Sequence, residues 1–566
     1  MADMAAAAFF IRLATTMALT ATFPTLCSAY KFNKYDPLVK TKSGWIRGLR
    51  HQVFSRNINT FWGIPFAEPP VGALRFMSPV PVKPWATEYK AVQRPPSCIQ
   101  PAVPFTGFVN LTGEIHTEDC LYLNLWAPSQ DSPIDSNEPK TVMIFFHGGA
   151  FFFGSSTWEF YDGSVLASLG DVIVVTVNYR LGPLGFMNTL EPDSPGNQGL
   201  YDQYLAMRWV KDNVRYFGGD PEKITLFGQS AGAISIGYHL VSPLSKGLFR
   251  RAIMQSGSPY WAIAENVDDD GDRFTKVARK LNCSQHRDDV TRDFRRVLYC
   301  LQSKQAREFL EAFETRNGRI RITYHPTYGD ELVPKDVMEA LLGSSVNDVD
   351  LLIGTVQDEG SLFVEYYLSS VLDFKHPSQI SKEALEFYLM VLFRMLKQGY
   401  PIAIRNFYLS GEDNDPNVFL RQAATAMGDF AFVCPALFFA EDYAKRNNNV
   451  YMYSFSHRPS YTTYPEWAGV AHFEEVPFVF GYTLNNNLFN VTQEEKTFTL
   501  FIMYTWVHFA KTGHVPPINN RPWPEFDPSN RSFVDLNIPD PKVKTKLAED
   551  RCEFWKSRIL SSSRQS

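Results

Sequence analysis

After its first 29 residues, this 566-residue sequence has no long apolar run. No stretch reaches the roughly 18 uninterrupted apolar residues a membrane-crossing helix needs, so no span is expected. The longest apolar run, Phe430 to Ala440, is broken by Pro435 and reads as core. A basic block is missing too. The 55 Lys and Arg are dispersed among 60 Asp and Glu, for a net charge of −5, so the electrostatic footprint of a nucleic-acid-binding protein is absent. There is no internal repeat, low-complexity segment or linker, which excludes solenoids and strings of modules and leaves residues 30–566 as a single domain. With 45% hydrophobic and 20% charged residues the chain can bury a large core, which excludes disorder. The end, Ser563-Arg-Gln-Ser566, carries no hydrophobic tail of the kind a GPI anchor requires.

What is present begins with a targeting segment. Arg12 precedes an apolar run from Leu13 to Leu26, and Cys27-Ser28-Ala29 supplies small residues for cleavage, so residues 1–29 read as a signal peptide. Of seven cysteines, Cys27 lies in that segment. Cys98, Cys120, Cys283, Cys300, Cys434 and Cys552 remain, an even set with fifteen possible pairings. Asn110, Asn282, Asn490 and Asn530 head N-x-S/T sequons. Together these features predict a secreted, disulfide-bonded glycoprotein.

Strand-like runs at Trp45–Leu49, Thr60–Pro65, Leu121–Trp126, Thr141–Phe146, Val172–Asn178, Asp350–Gly354 and Val450–Phe455 alternate with helical stretches at 203–214, 265–315 and 380–445. The run Val172-Ile-Val-Val-Thr-Val-Asn178 is almost unbroken, as in a strand covered on both faces. This alternation predicts an α/β fold on a largely parallel sheet. Gly218-Gly-Asp-Pro221 reads as the stop after the first helix. Asn266-Val-Asp-Asp-Asp-Gly271 imitates half of a calcium loop, but Val277 stands where a bidentate Glu is needed, so it reads as an exposed acidic turn.

The chemistry centres on Gly228-Gln-Ser230-Ala-Gly232, set between the apolar run Ile224–Phe227 and a helical stretch. A serine on so sharp a strand–turn–helix needs glycine on both sides, because a Cβ there would strike neighbouring backbone. A Gly/Ser-rich turn before an ordinary helix looks the same over five residues, so catalysis requires further parts. A serine hydroxyl needs a general base, and the base needs an orienting acid; in this strand–helix context the chain order is Ser, acid, His. Asp358 and Glu359 follow one predicted strand and His472 follows the next. Composition does not choose between Asp358 and Glu359. Of the other histidines, His508 sits in an apolar helical run, while His457, His514, His376 and His286 lie in polar loops. His147-Gly148-Gly149 directly follows another strand and is the glycine loop whose N–H groups, with that of Ala231, can face a developing oxyanion.

With these motifs, and with Glu118-Asp-Cys-Leu-Tyr-Leu-Asn124, Pro195-Gly-Asn197, Gln255-Ser-Gly-Ser-Pro259, Asp358-Glu-Gly360 and Gly469-Val-Ala-His472, the chain resembles the type-B carboxylesterase/cholinesterase family of α/β-hydrolases from about residue 36 to residue 560. The resemblance implies a large, mostly parallel central sheet flanked by helices. It also implies a serine carboxylic-ester hydrolase with Ser230 as nucleophile, Glu359 rather than Asp358 as acid and His472 as base, needing no metal or cofactor. It implies the pairings Cys98–Cys120, Cys283–Cys300 and Cys434–Cys552, the last beside Arg551-Cys-Glu-Phe-Trp555 as in cholinesterases.

The departures from the family concern the substrate. Cholinesterases carry a tryptophan in the first disulfide loop that holds choline by cation–π attraction; residues 98–120 contain none, and Asn110 falls near that place. Gln229 stands where they have Glu, Leu362 where an aromatic is usual, and Ile320 and Ile322 at acyl-pocket positions otherwise filled by rings. Trp261 and Phe363 complete the pocket the resemblance implies. These features predict a small-molecule ester substrate of broad or non-choline type. Two alternatives stand beside that reading: an acetylcholinesterase, which would prefer acetylcholine to its uncharged isostere, and a neuroligin-like adhesion protein, which would lack an intact triad. No tetramerising tail follows Cys552, leaving monomer and homodimer open.

Overall fold

The computed structural model describes residues 36–102, 114–129, 138–188, 194, 196–261, 270–285, 292–313, 315–316, 319–320, 323–343, 346–369, 372–374, 376–377, 380–395, 401–409, 415–446, 448–484 and 490–562. The predicted signal segment and Asn110 lie outside these residues.

An eleven-stranded sheet forms the centre. In chain order its strands are β1 (Leu49–Val53), β2 (Arg56–Pro65), β3 (Tyr122–Pro128), β4 (Lys140–Phe146), β5 (Ile173–Val177), β6 (Gly219–Gln229), β7 (Arg251–Gln255), β8 (Asp350–Val356), β9 (Val450–Phe455), β10 (Phe533–Leu536) and β11 (Lys542–Lys544). Their spatial order is β11-β10-β9-β8-β7-β6-β4-β5-β3-β2-β1. The run from β10 to β5 is parallel throughout, while β1–β3 and β11 are antiparallel edges.

The middle strands are apolar at successive positions because both faces are covered. On β4, Val142, Ile144 and Phe146 belong to one buried cluster and Met143 and Phe145 to the other. Each such side chain contributes about 1.5–3 kcal/mol on burial. Helices α1 (Gln198–Asn213) and α2 (Ala231–Val241) pack in the first cluster with the long apolar helix Pro416–Ala444. Gln493–Thr512 packs in the second; its start is capped by Thr492 and Glu495 and its end by Gly513 at φ 82°. By length and composition Pro416–Ala444 could cross a membrane, but 94% of its apolar window is buried inside the fold, as in a core helix.

Two expectations are corrected. β6 begins at Gly219, inside the stretch read as a stop, with a register shift before Ile224. Gly218 alone makes the turn, at φ 87°. A helix, Asp270–Lys280, starts within the acidic stretch 266–271 that was expected to be a turn. The run Phe430–Ala440 is buried core, as expected; within its helix one wide turn, Asp429–Val433, shifts the hydrogen bonding so that Cys434 N–H donates to Asp429 O, and Pro435 opens the next regular segment, where no N–H is required of it.

Disulfides join Cys98 to Cys120, Cys283 to Cys300 and Cys434 to Cys552. The last ties the long helix to the C-terminal helix Glu549–Ser562. Beside it Asp429 pairs with Arg551 and accepts a hydrogen bond from Tyr408, to which Trp555 donates. Asn282, Asn490 and Asn530 are exposed.

Candidate active site

β6 delivers Ser230 to the C-terminal edge of the sheet, and α2 starts at the next residue. The turn holds Ser230 at φ 55°, ψ −122°, outside the regions a side chain prefers. Neighbouring backbone imposes this. A Cβ on Gly232 would lie 1.9 Å from Phe146 O, and one on Gly228 would lie 2.8 Å from the Gly232 carbonyl carbon. Ser230 N–H donates to Gln255 O at 2.8 Å, pinning the turn to β7.

The glycine loop leaves the end of β4, the neighbour of β6. His147 stacks on Tyr179 at 4.4 Å, and Tyr179 O–H donates to His147 O at 2.7 Å. Burial pushes the imidazole of His147 down to about 4 and keeps it neutral, so its Nδ1–H donates to Gly148 O at 2.8 Å. Gly149 sits at φ 112°, where a Cβ would lie 1.9 Å from Phe153 O; Ala150 and Phe151 also have positive φ. A Cβ on Gly148 would come within 3.0 Å of Ser230 Cβ, so this loop runs against the nucleophile turn. Among the described residues, no backbone acceptor takes the N–H of Gly149 or Ala231, while the Gly148 N–H faces the buried Tyr161 phenol oxygen.

The loops after β8 and β9 carry the remaining pieces and are stitched together by Asp358. Its N–H donates to Val470 O at 3.0 Å, and its Oδ2 accepts from Val470 N–H at 2.9 Å. Gly469, at φ 59°, leaves room for that carboxylate. Burial raises Asp358 above the usual carboxylate range. Glu359 points the other way: Oε1 accepts from Val356 N–H at 2.9 Å and Oε2 is hydrogen-bonded to His472 Nδ1. Both residues are buried. The His472 ring packs against Phe432, 4.6 Å away, and Phe363, 5.3 Å away, which also touch each other at 5.1 Å. Its Nε2 is 3.0 Å from the Gln229 amide nitrogen.

Two more carboxylates stand close by. Glu475 accepts from Gln255 Nε2 at 3.2 Å, and Gln255 in turn accepts from Trp506. Glu474 accepts from Ala471 N–H at 2.9 Å. Burial raises each to about 7, with the charge of Glu359 adding to the effect on Glu475.

Of the expected pocket residues, Gln229 is buried against the base, Phe363 touches His472, and Leu362 is half-buried on the same helix, Ser361–Leu368. Trp261 is buried 6.5 Å from Phe151 and 6.4 Å from His325, ring to ring. Ile320 ends the short strand Arg319–Ile320; its side chain and all of Ile322 lie outside the described residues. Among the other histidines, His508 is half-buried beside Tyr504. His457 meets Glu495 at 3.0 Å, a second histidine–carboxylate pair that anchors the capped start of Gln493–Thr512.

Sequence reasoning missed Phe432 and Glu475. Phe432 looked like any residue of its apolar run; the wide turn Asp429–Val433 is what aims it at the imidazole. Glu475, three residues after His472 and next to a second acid, was legible only as a paired carboxylate.

Residues 35–555 match the model of the carboxylesterase family. The chain is 33% identical over 539 residues to acetylcholinesterase-1 of Trittame loki, covering 92% of this chain and 94% of that protein. It is 36% identical over 544 residues to cholinesterase of Mus musculus, covering 92% and 86%. It is also 36% identical over 532 residues to acetylcholinesterase of Bungarus fasciatus, covering 91% and 85%.

Proposed function

The chain belongs to the carboxylesterase family and is a carboxylic ester hydrolase of the α/β-hydrolase fold, and on that premise we propose that it works through an acyl-enzyme on Ser230, with His472 as general base and Glu359 as its orienting acid. The hydrogen bond from His472 Nδ1 to buried Glu359 carries this reading. It holds the imidazole in the tautomer whose Nε2 can accept a proton and stabilises the imidazolium that then forms. Ser230 Oγ attacks the ester carbonyl while its proton passes to His472 Nε2. The N–H groups of Gly148, Gly149 and Ala231 receive the oxyanion; one such donor supplies about 2.7–4 kcal/mol to the transition state. The alcohol leaves with the proton from His472, and water releases the acyl group by the same steps.

The substrate we assign is an uncharged ester. Glu359 is engaged at Nδ1 of the base, and the other described side chains against the ring include Phe363, Phe432 and the neutral Gln229. With no tryptophan in the Cys98–Cys120 loop and Leu362 in place of an aromatic ring, a quaternary ammonium forgoes contacts worth about 0.5–2 kcal/mol each. The relatives named cholinesterases favour the second reading, choline-ester hydrolysis. Acetylcholine compared with its uncharged carbon isostere separates the two: similar kcat/KM values support the first, and a strong preference for acetylcholine supports the second. An adhesion role is set aside, since the chain is a hydrolase by family. The three disulfides and the exposed Asn282, Asn490 and Asn530 support secretion as a glycoprotein.

Ser230→Ala, assayed on an aryl ester and with an organophosphate-type serine probe, tests the mechanism. Loss of both turnover and labelling is expected; undiminished turnover would refute it.

A further inference from the structure

The hydrogen bond between Gln229 and His472 spans 243 residues of sequence and occupies the atom on which the proposed reaction depends. An amide nitrogen only donates, so His472 Nε2 is the acceptor and Nδ1 carries the hydrogen toward Glu359. Nε2 has one in-plane lone pair, and Gln229 takes it. Ser230 Oγ makes no hydrogen bond among the described residues. The carboxamide is well held: Gln229 is 2% exposed, and its Oε1 lies 2.5 Å from where a Cβ on Gly148 would stand. It thus touches the base, adjoins the nucleophile and packs under the glycine loop.

We propose that Gln229 is a positioning residue that occupies His472 Nε2 in the resting enzyme and yields it to the Ser230 hydroxyl when an ester enters. The exchange replaces Gln229 N–H···Nε2 by Ser230 O–H···Nε2 and breaks no covalent bond. The ring need not leave its place, because Glu359 holds Nδ1 and the contacting pair Phe363 and Phe432 packs against it. A carboxylate in place of Gln229 would favour the imidazolium over the neutral ring. The charged or titratable groups around the ring are Glu359 at Nδ1, Glu475, whose field reaches His472, and Glu474 and Asp358 in the adjoining loops. All four stay constant in the comparison below.

This inference rests on the Ser230–His472 reading, and the experiment separates the two. The pH profile of kcat/KM on an uncharged aryl ester is recorded for the full-length wild type and Gln229→Glu, with Ser230→Ala as reference. The acid limb of Gln229→Glu is expected to move up by about 1–3 pH units, as an opposite charge at this range requires. Gln229→Leu, neutral and similar in size, is read by inactivation with a small organophosphate above the acid limb. With Nε2 unoccupied, the rate is expected to rise about threefold or more. If Ser230→Ala is inert yet the Gln229→Glu limb coincides with wild type, or the Gln229→Leu rate fails to rise, Gln229 does not hold the base. If Ser230→Ala stays active, the underlying mechanism fails instead.

Discussion

Gly232→Ala puts the steric origin of the nucleophile turn to a quantitative test. The new Cβ would stand 1.9 Å from Phe146 O, 2.6 Å from Phe146 C and 2.9 Å from His147 O. Carbon atoms of this kind essentially never come closer than 3.0 Å, so the turn and β4 must part by at least 1.1 Å, the difference between 3.0 and 1.9 Å. β4 cannot yield: Phe146 is fully buried and paired with Val177 on one side and Gly228 on the other. The movement therefore falls on the start of α2, carrying Ser230 and the Ala231 N–H away from the glycine loop and from His472. A displacement of about 1 Å at reacting atoms costs on the order of 10²-fold in rate, or about 2.7 kcal/mol of barrier. Overpacking costs a further 1–3 kcal/mol or so of stability. The assay is kcat/KM on an aryl ester, normalised to folded protein by near-ultraviolet circular dichroism, with Gly343→Ala as control. At Gly343 the nearest atom to a new Cβ is 3.3 Å away, and φ is not positive. Activity of Gly232→Ala within about threefold of the control would refute the argument, since a shift of the calculated size cannot be that cheap.

Two further outcomes follow from burial and chain length. Glu475 ionises near 7 in the folded protein because burial penalises its charge, above the 4.5 of the free side chain. An acid raised on folding destabilises increasingly as pH climbs from its unfolded value to its folded one, so this penalty is absent below pH 4.5 and complete above about 7. Glu475→Gln, whose amide oxygen can still accept from Gln255, should gain stability relative to wild type between pH 5 and 8, by up to about 3 kcal/mol in urea unfolding. A difference independent of pH would refute this. The Cys434–Cys552 bridge closes 118 residues and Cys283–Cys300 closes 17. Loop entropy makes loss of the first costlier by about 1.7 kcal/mol, readable from the urea midpoints of the two paired Cys→Ala variants; an equal or reversed order would refute it.

Much of the architecture was legible because its causes are local. The parallel core showed as unbroken apolar runs such as Val172–Val177, since each face of the sheet has its own cluster. The strand ends were less so: β6 runs back to Gly219 because Lys140 pairs with it across the sheet, a partner no local pattern reveals. How Pro435 fits inside its helix was equally hidden, its missing donor being absorbed by the wide turn before it.

At the site the division is sharper. The five residues Gly228 to Gly232 mark the Ser230 turn in the sequence, while the collisions that exclude other side chains there come from Gly232 itself and from Phe146 and His147 on the neighbouring strand and loop. His147-Gly-Gly149 likewise marks the loop that follows β4, with Gly149 at a positive φ. The residues alone left Asp358 and Glu359 equivalent. Only the parallel bridge between Asp358 and Ala471 turned one carboxylate to Val470 N–H and the other to His472. The approach of Gln229 and Phe432 to the same imidazole was likewise a tertiary outcome. The glycine spacing of a turn is written in a few consecutive residues; a hydrogen bond between residues far apart in the chain is decided by how the sheet and its helices bring their loops together.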